Sequence, residues 1–143
     1  MSKKKMIVLV IVALLLAIVI IIFPDNKKED VIPLGAHVDA STVGRRIDYF
    51  ASHGWDVEEI AEKRITIPIN YNQGYEQYVR LQDKQGLPLR EYAGRSAKLY
   101  VYDVKNYSPE SRKMLAELLV CDDTAIASMV YSEDGGNLRL AVT

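Results

Sequence analysis

The chain has 143 residues and a formal net charge of −1. Fifteen of its 18 basic residues and all 19 acidic residues follow residue 23, so this larger part carries a charge near −4. A mildly acidic chain argues against nucleic acid as a partner and against strong adhesion to anionic lipid or acidic polymers.

The N-terminal region predicts a membrane anchor. Residues 1–5 contain three lysines, and an apolar run of 18 residues without a charge follows from Met6 to Phe23, about the length that crosses a bilayer as a helix. This run is longer than the apolar core of a cleavable signal and ends in large residues instead of a small-x-small cleavage site, although cleavage stays open as the alternative. Three lysines before the run against two after it predict a cytoplasmic N-terminus. We therefore expect a cytoplasmic tail (1–5) and a single transmembrane helix (6–23) in the cell membrane.

The rest of the chain divides into a linker and one domain. Residues 24–39 are charged and contain two prolines, which is typical of an extended linker. Residues 40–143 suffice for one small domain and are too few for two. The predicted orientation of the anchor makes this domain extracytoplasmic.

Two helices are predicted from apolar residues spaced three and four apart. The first is capped by Ser41 or Thr42 and ends at Gly54, and the second is capped by Asn70 or Asn72 and ends at Gly86. The stripe of the first helix consists of Val43, Ile47 and Phe50, and that of the second consists of Tyr71, Tyr75, Tyr78, Val79 and Gln82.

Strands account for most of the remaining pattern. Alternation predicts strands over residues 64–69, 97–104 and 138–142, whereas residues 58–63 break the pattern. Residues 108–120 fit a helix that opens with Pro109 or a strand that forms a hairpin with residues 125–131, and we favour the strand. The order predicts an α+β domain with two helices packed on one face of a mainly antiparallel sheet of four to five strands.

Several short motifs of this domain resemble a known family. They are His53-Gly54-Trp55-Asp56-Val57, Ile67-Pro68, Tyr75-x-x-Tyr78-x-x-Leu81-Gln82-x-x-Gln85-Gly86-x-x-Leu89 and Tyr92-x-Gly94. Residues 43–143 resemble a family of domains without an assigned activity in small membrane-anchored or secreted proteins of low-GC Gram-positive bacteria. The resemblance implies a location in the cell envelope and no particular chemistry.

The sequence predicts no catalytic residue, no metal site and no cofactor. His37 and His53 are the only histidines, too few for a zinc site of defined spacing, and no Gly-x-Ser-x-Gly motif accompanies them. The acid pairs Glu58-Glu59 and Asp122-Asp123 are adjacent in sequence, which is typical of solvated turns. Cys121 is the only cysteine, so an intrachain disulfide is excluded and a buried apolar role is favoured.

Aromatic residues form the one candidate ligand-binding group. The chain has nine tyrosines and one tryptophan, and Trp55, Tyr75, Tyr78 and Gln82 could make an aromatic patch with polar tips. The competing interpretation, which we favour, is that these side chains pack a core between helix and sheet.

Three functions follow as hypotheses. The first is a non-catalytic interaction module that binds another envelope protein or a peptide, for example through a sheet edge. The alternative is a sensor whose aromatic cleft binds a small ligand or a cell-wall fragment, and an enzyme without a recognisable motif comes third. A pocket walled by Trp55, Tyr75 and Tyr78 would favour the sensor, and an exposed apolar edge strand would favour the interaction module. A buried cluster of acids with perturbed charge, or a buried His53, would favour the enzyme.

Overall fold

A computed structural model describes residues 37–143. The predicted tail, the predicted membrane helix 6–23 and residues 24–36 of the predicted linker lie outside the described residues. Within the described part, no helix is both long enough and apolar enough to cross a membrane.

A six-stranded antiparallel sheet forms the centre of the domain. Its strands are β1 (Val38–Asp39), β2 (Val57–Thr66), β3 (Ser96–Val104), β4 (Met114–Cys121), β5 (Thr124–Ser132) and β6 (Arg139–Leu140). The order across the sheet is β1-β5-β4-β3-β2, and β6 pairs with β5 on the edge that β1 also uses. The α+β class and the antiparallel sheet are confirmed. The expected count of four to five strands is too low because β1 has two residues, too few to produce a periodic signal, whereas β6 lies within the predicted strand 138–142.

Two helices complete the fold, α1 (Val43–Ser52) and α2 (Gln73–Lys84). The Thr42 hydroxyl accepts a hydrogen bond from the Arg45 N–H, and the Asn72 side chain accepts one from the Tyr75 N–H. Both predicted N-caps are thus confirmed, because these side chains satisfy N–H groups that have no partner within the helix. Short 3-10 helices cover Leu89–Tyr92 and Pro109–Ser111.

The two helices cover opposite faces of the sheet. Tyr100 pairs with Leu118 and Leu99 pairs with Leu119, so these two pairs point to opposite faces. Phe50 of α1 lies against the Tyr102 ring on the Tyr100 face at 4.7 Å, whereas α2 packs in the core cluster that contains Leu99 and Leu119. The prediction that both helices lie on one face is therefore wrong. Helical spacing reveals an apolar stripe but not which side of the sheet receives it.

Two strand regions differ in how well their sequence predicts them. β2 runs without interruption through residues 58–63, and a bulge between Glu59 and Ala61 shifts its register. This strand is at the edge and mostly exposed, which explains its broken pattern. β4 confirms the strand preferred for the ambiguous stretch, and Asp122 and Asp123 form the turn into β5 with φ of 47° and 61°.

Candidate functional site

A cleft of about 400 Å³ lies between α2 and the sheet face that α2 covers. We call it the tyrosine cleft, after Tyr75 and Tyr78, which line it from the helix. Its floor is apolar and comes from four strands through Ile65, Leu99, Leu119 and Met129. Leu99 is paired with Leu119, and Ile65 and Met129 lie two residues further along on the same face of the neighbouring strands, so the four side chains form one apolar surface.

The hydroxyl groups of Tyr75 and Tyr78 are buried, and neither makes a hydrogen bond of good geometry among the described residues, although the Tyr78 hydroxyl faces the Glu117 carboxylate. Buried polar groups in folded proteins are nearly always paired, and an unpaired one costs roughly 1–3 kcal/mol. Two such groups on one wall of a cleft indicate a place where an external group can supply the missing bonds.

Glu117 brings a carboxylate into the same cleft. It stands on β4 opposite Met129 of β5 and lines the cavity. Burial raises the pKa of the Glu117 carboxyl, and the Tyr78 hydroxyl and the charge of Arg139 lower it in part. Burial, and then the charge of Glu117, hold the pKa of the Tyr78 phenol well above its ordinary value.

Arg139 contributes a cation to the cleft lining. It is an exposed residue of β6, opposite Tyr131 of β5. Neither Glu117 nor Arg139 forms an ion pair within residues 37–143. The cleft therefore offers one acid and one base that influence each other's charge but are not in direct contact.

Gln82 fixes α2 to the sheet beside this cleft. Its Nε2 donates to the Ser128 carbonyl at 2.9 Å, and its Oε1 accepts from the Ser128 N–H at 2.8 Å. Gln85 donates to the same carbonyl at 3.0 Å, and its Oε1 accepts from the Val142 N–H at 2.7 Å. Both side chains are buried, so they hold the helix, and with it the two tyrosines, over the sheet.

Trp55 lies elsewhere in the domain. It packs against the core on the α1 side, and its Nε1 donates to the Val142 carbonyl at 2.9 Å. Of the four residues that could make one aromatic patch, Tyr75 and Tyr78 thus line the cleft and also pack against the core under α2, Gln82 anchors their helix, and Trp55 belongs to the other core.

The remaining candidates have other surroundings. His37 and His53 are exposed, and no group of three or more His, Cys, Asp or Glu residues in the described range could hold a metal ion. Cys121 is buried, and burial raises the pKa of its thiol. A second cavity of about 400 Å³ contains Arg46, whose Nε donates to Glu59 at 2.8 Å and whose guanidinium stacks on Tyr100 at 3.9 Å. Arg46 thus already has its partners.

Sequence reasoning missed Glu117 and Arg139. Glu117 is the only charged residue in the run from Met114 to Cys121, and this was the one available signal for it. Arg139 has no comparable signal, because its place in the cleft follows from the pairing of β6 with β5.

No protein-family model, no curated protein and no solved structure matches this chain.

Proposed function

We propose that this chain is a membrane-anchored, extracytoplasmic receptor domain that binds a small amphiphilic ligand in the tyrosine cleft. The observation that carries the proposal is the pair of buried hydroxyl groups of Tyr75 and Tyr78 above an apolar floor, neither of which makes a hydrogen bond of good geometry within the described residues. Small-molecule sites are mostly apolar cavities of roughly 300–1,000 Å³ with a few convergent polar groups, and this cleft has both properties.

The location rests on the sequence. The apolar run 6–23 and the lysines before it support a single-pass anchor with the domain outside the cytoplasm. A tethered domain with a cleft of this size suits a sensor of the cell envelope.

Binding is a better proposal than catalysis for this cleft. General acid–base chemistry usually pairs two groups whose pKa values are set apart by their surroundings. Glu117 is the one carboxylate in the lining. It is better suited to recognising a charge than to serving as half of a catalytic pair.

A protein partner is the second candidate, and the edge strand β2 is the observation that favours it. The outer edge of β2 is unpaired within the described residues, and Ile60 is 49% exposed there. However, β2 also carries a bulge and a high density of charged side chains, two devices that protect an edge from pairing with another strand. The cleft is therefore the stronger site.

The test uses two glycines at equivalent places. Gly74 is the second residue of α2 and lines the cleft, whereas Gly44 is the second residue of α1. A Cβ at either position meets no atom closer than 3.7 Å, so both accept a side chain. Gly74→Leu would fill the cleft, and Gly44→Leu is the matched control.

The full-length protein in lipid nanodiscs is screened against small apolar amines, acids and peptides by thermal shift. We expect at least one compound to stabilise the wild type and Gly44→Leu but not Gly74→Leu. Absence of any stabilising compound, or equal stabilisation of both variants, would contradict binding in the cleft.

A further inference from the structure

We infer that the ligand of the tyrosine cleft is a short peptide with free ends and apolar side chains, its ammonium group bound by Glu117 and its carboxylate by Arg139. This inference rests on the proposed function and specifies the ligand for the same site.

The acid end of the cleft suits an ammonium group. A carboxylate that is removed from water is stabilised by a cation, and the described residues supply no ion-pair partner to Glu117. An ammonium has three N–H donors. Three oxygen-bearing groups lie at this end: the Glu117 carboxylate, the Tyr78 hydroxyl, which faces that carboxylate, and the Tyr75 hydroxyl. The two tyrosine rings add an electron-rich wall that attracts a cation.

The basic end suits a carboxylate. The guanidinium of Arg139 can bind a carboxylate through two parallel hydrogen bonds, a geometry that an ammonium cannot offer. Because Arg139 is exposed, it can receive the outer end of a ligand whose other end is buried.

The separation of the two charges suits a peptide of two or three residues. Glu117 of β4 is paired with Met129 of β5, and Arg139 of β6 is paired with Tyr131, so their backbones are roughly 10 Å apart across the sheet and about 7 Å apart along it. A dipeptide extends about 7 Å, and the two side chains can span the remaining distance. In a single amino acid the two charged groups are attached to the same carbon, which makes it too short to reach both.

The floor selects the side chains of the peptide. Ile65, Leu99, Leu119 and Met129 present hydrocarbon and sulfur to the cavity. Burial of apolar side chains against them is favourable, whereas a polar side chain would lose its hydration there.

The inference predicts a dependence on pH. The charged and titratable groups that face Glu117 are Tyr75 and Tyr78 on α2, Tyr131 on β5 and Arg139 on β6. Protonation of Glu117 removes the negative charge that attracts the ammonium. Affinity should therefore fall as the pH is lowered through the titration of this carboxyl group.

The experiment compares Leu-Phe dipeptide with its N-acetyl and C-amide forms by calorimetry on the full-length protein in nanodiscs. We expect each blocked form to bind the wild type about tenfold more weakly, since each loses one charged hydrogen-bonding end. The Glu117→Gln variant should bind the free and the N-acetyl dipeptide with equal affinity. The Arg139→Gln variant should bind the free and the C-amide dipeptide with equal affinity. Glu76→Gln and Arg80→Gln, on the exposed side of α2, are the matched controls and should behave as the wild type does.

The outcomes separate the inference from the proposed function. The assignment of the two ends would be overturned if the wild type bound free and blocked dipeptides with equal affinity. It would also be overturned if blocking an end still weakened binding to Glu117→Gln and Arg139→Gln as much as to the wild type. Either result would leave binding in the cleft intact. If none of the three dipeptides bound, but another amphiphile bound the wild type and not Gly74→Leu, the inference alone would be overturned. Failure of every amphiphile would overturn both.

Discussion

The charge of Glu117 is unfavourable to the folded domain as long as no cation accompanies it. Burial on the floor of the cleft raises the pKa of this carboxyl group, so the folded state holds its proton more tightly than the unfolded chain does. Linkage then requires that the free energy of unfolding decreases as pH rises from the ordinary carboxyl pKa through the raised folded value. Below that window the carboxyl group is protonated in both states and the penalty is absent.

Replacement of Glu117 by Gln removes this penalty. We expect the variant to be more stable than the wild type at about pH 8, and the difference to shrink towards about pH 4, where both side chains are neutral. Thermal denaturation of both proteins at the two pH values measures this. A difference in melting temperature that does not change with pH would contradict it. The same substitution should weaken the binding of a free dipeptide, so stability and binding would change in opposite directions.

At the scale of elements, the amide of Gln82 acts as a piece of β-strand. β1 and β6 pair with the two ends of the outer edge of β5 and leave Ser128 between them. A primary amide offers the same donor and acceptor as a peptide group, so Gln82 completes the hydrogen bonding of Ser128 in this gap. α2 is thereby tied to the sheet in a single register.

Replacement of Gln82 by Ala should destabilise the domain by about 2–4 kcal/mol, because it removes three buried hydrogen bonds, two with Ser128 and one with Gln85, and leaves the Ser128 N–H unsatisfied. Gln77→Ala on the exposed side of the same helix is the control and should change stability by less than about 0.5 kcal/mol. Urea unfolding of the two variants measures both values. Equal midpoints would mean that the pairing with Ser128 contributes nothing.

The helices were more predictable than the cleft, and the reason is the range of the interactions. Thr42 and Asn72 cap their helices through contacts three residues away, so a local pattern reveals them. The cleft joins Tyr78 to Glu117, which are distant in sequence and are brought together only by the packing of α2 on β4. For the same reason Trp55 was grouped with the tyrosines, since an aromatic residue in a sequence does not indicate which face of a sheet it will cover.

At the scale of the whole molecule, the predicted anchor determines what the cleft can meet. A reporter that is active only outside the cytoplasm, fused after Thr143, should give signal, because the charges around residues 6–23 predict export of the domain. The same reporter fused before Met1 is the control and should be silent. The reverse pattern would place the cleft in the cytoplasm and limit its ligands to cytoplasmic peptides.

The two edges of the sheet differ in their capacity to pair with another copy of the chain. The outer edge of β5 is filled by β1, β6 and the Gln82 amide, and β1 and β6 expose only two residues each. Within the described part of the chain, β2 is thus the one long strand with an unpaired edge. Growth of a fibre by edge pairing needs two open edges on every molecule, whereas one open edge is consumed when two copies meet about a two-fold axis. Even when many copies are concentrated on one membrane, strand pairing through β2 would stop at a dimer.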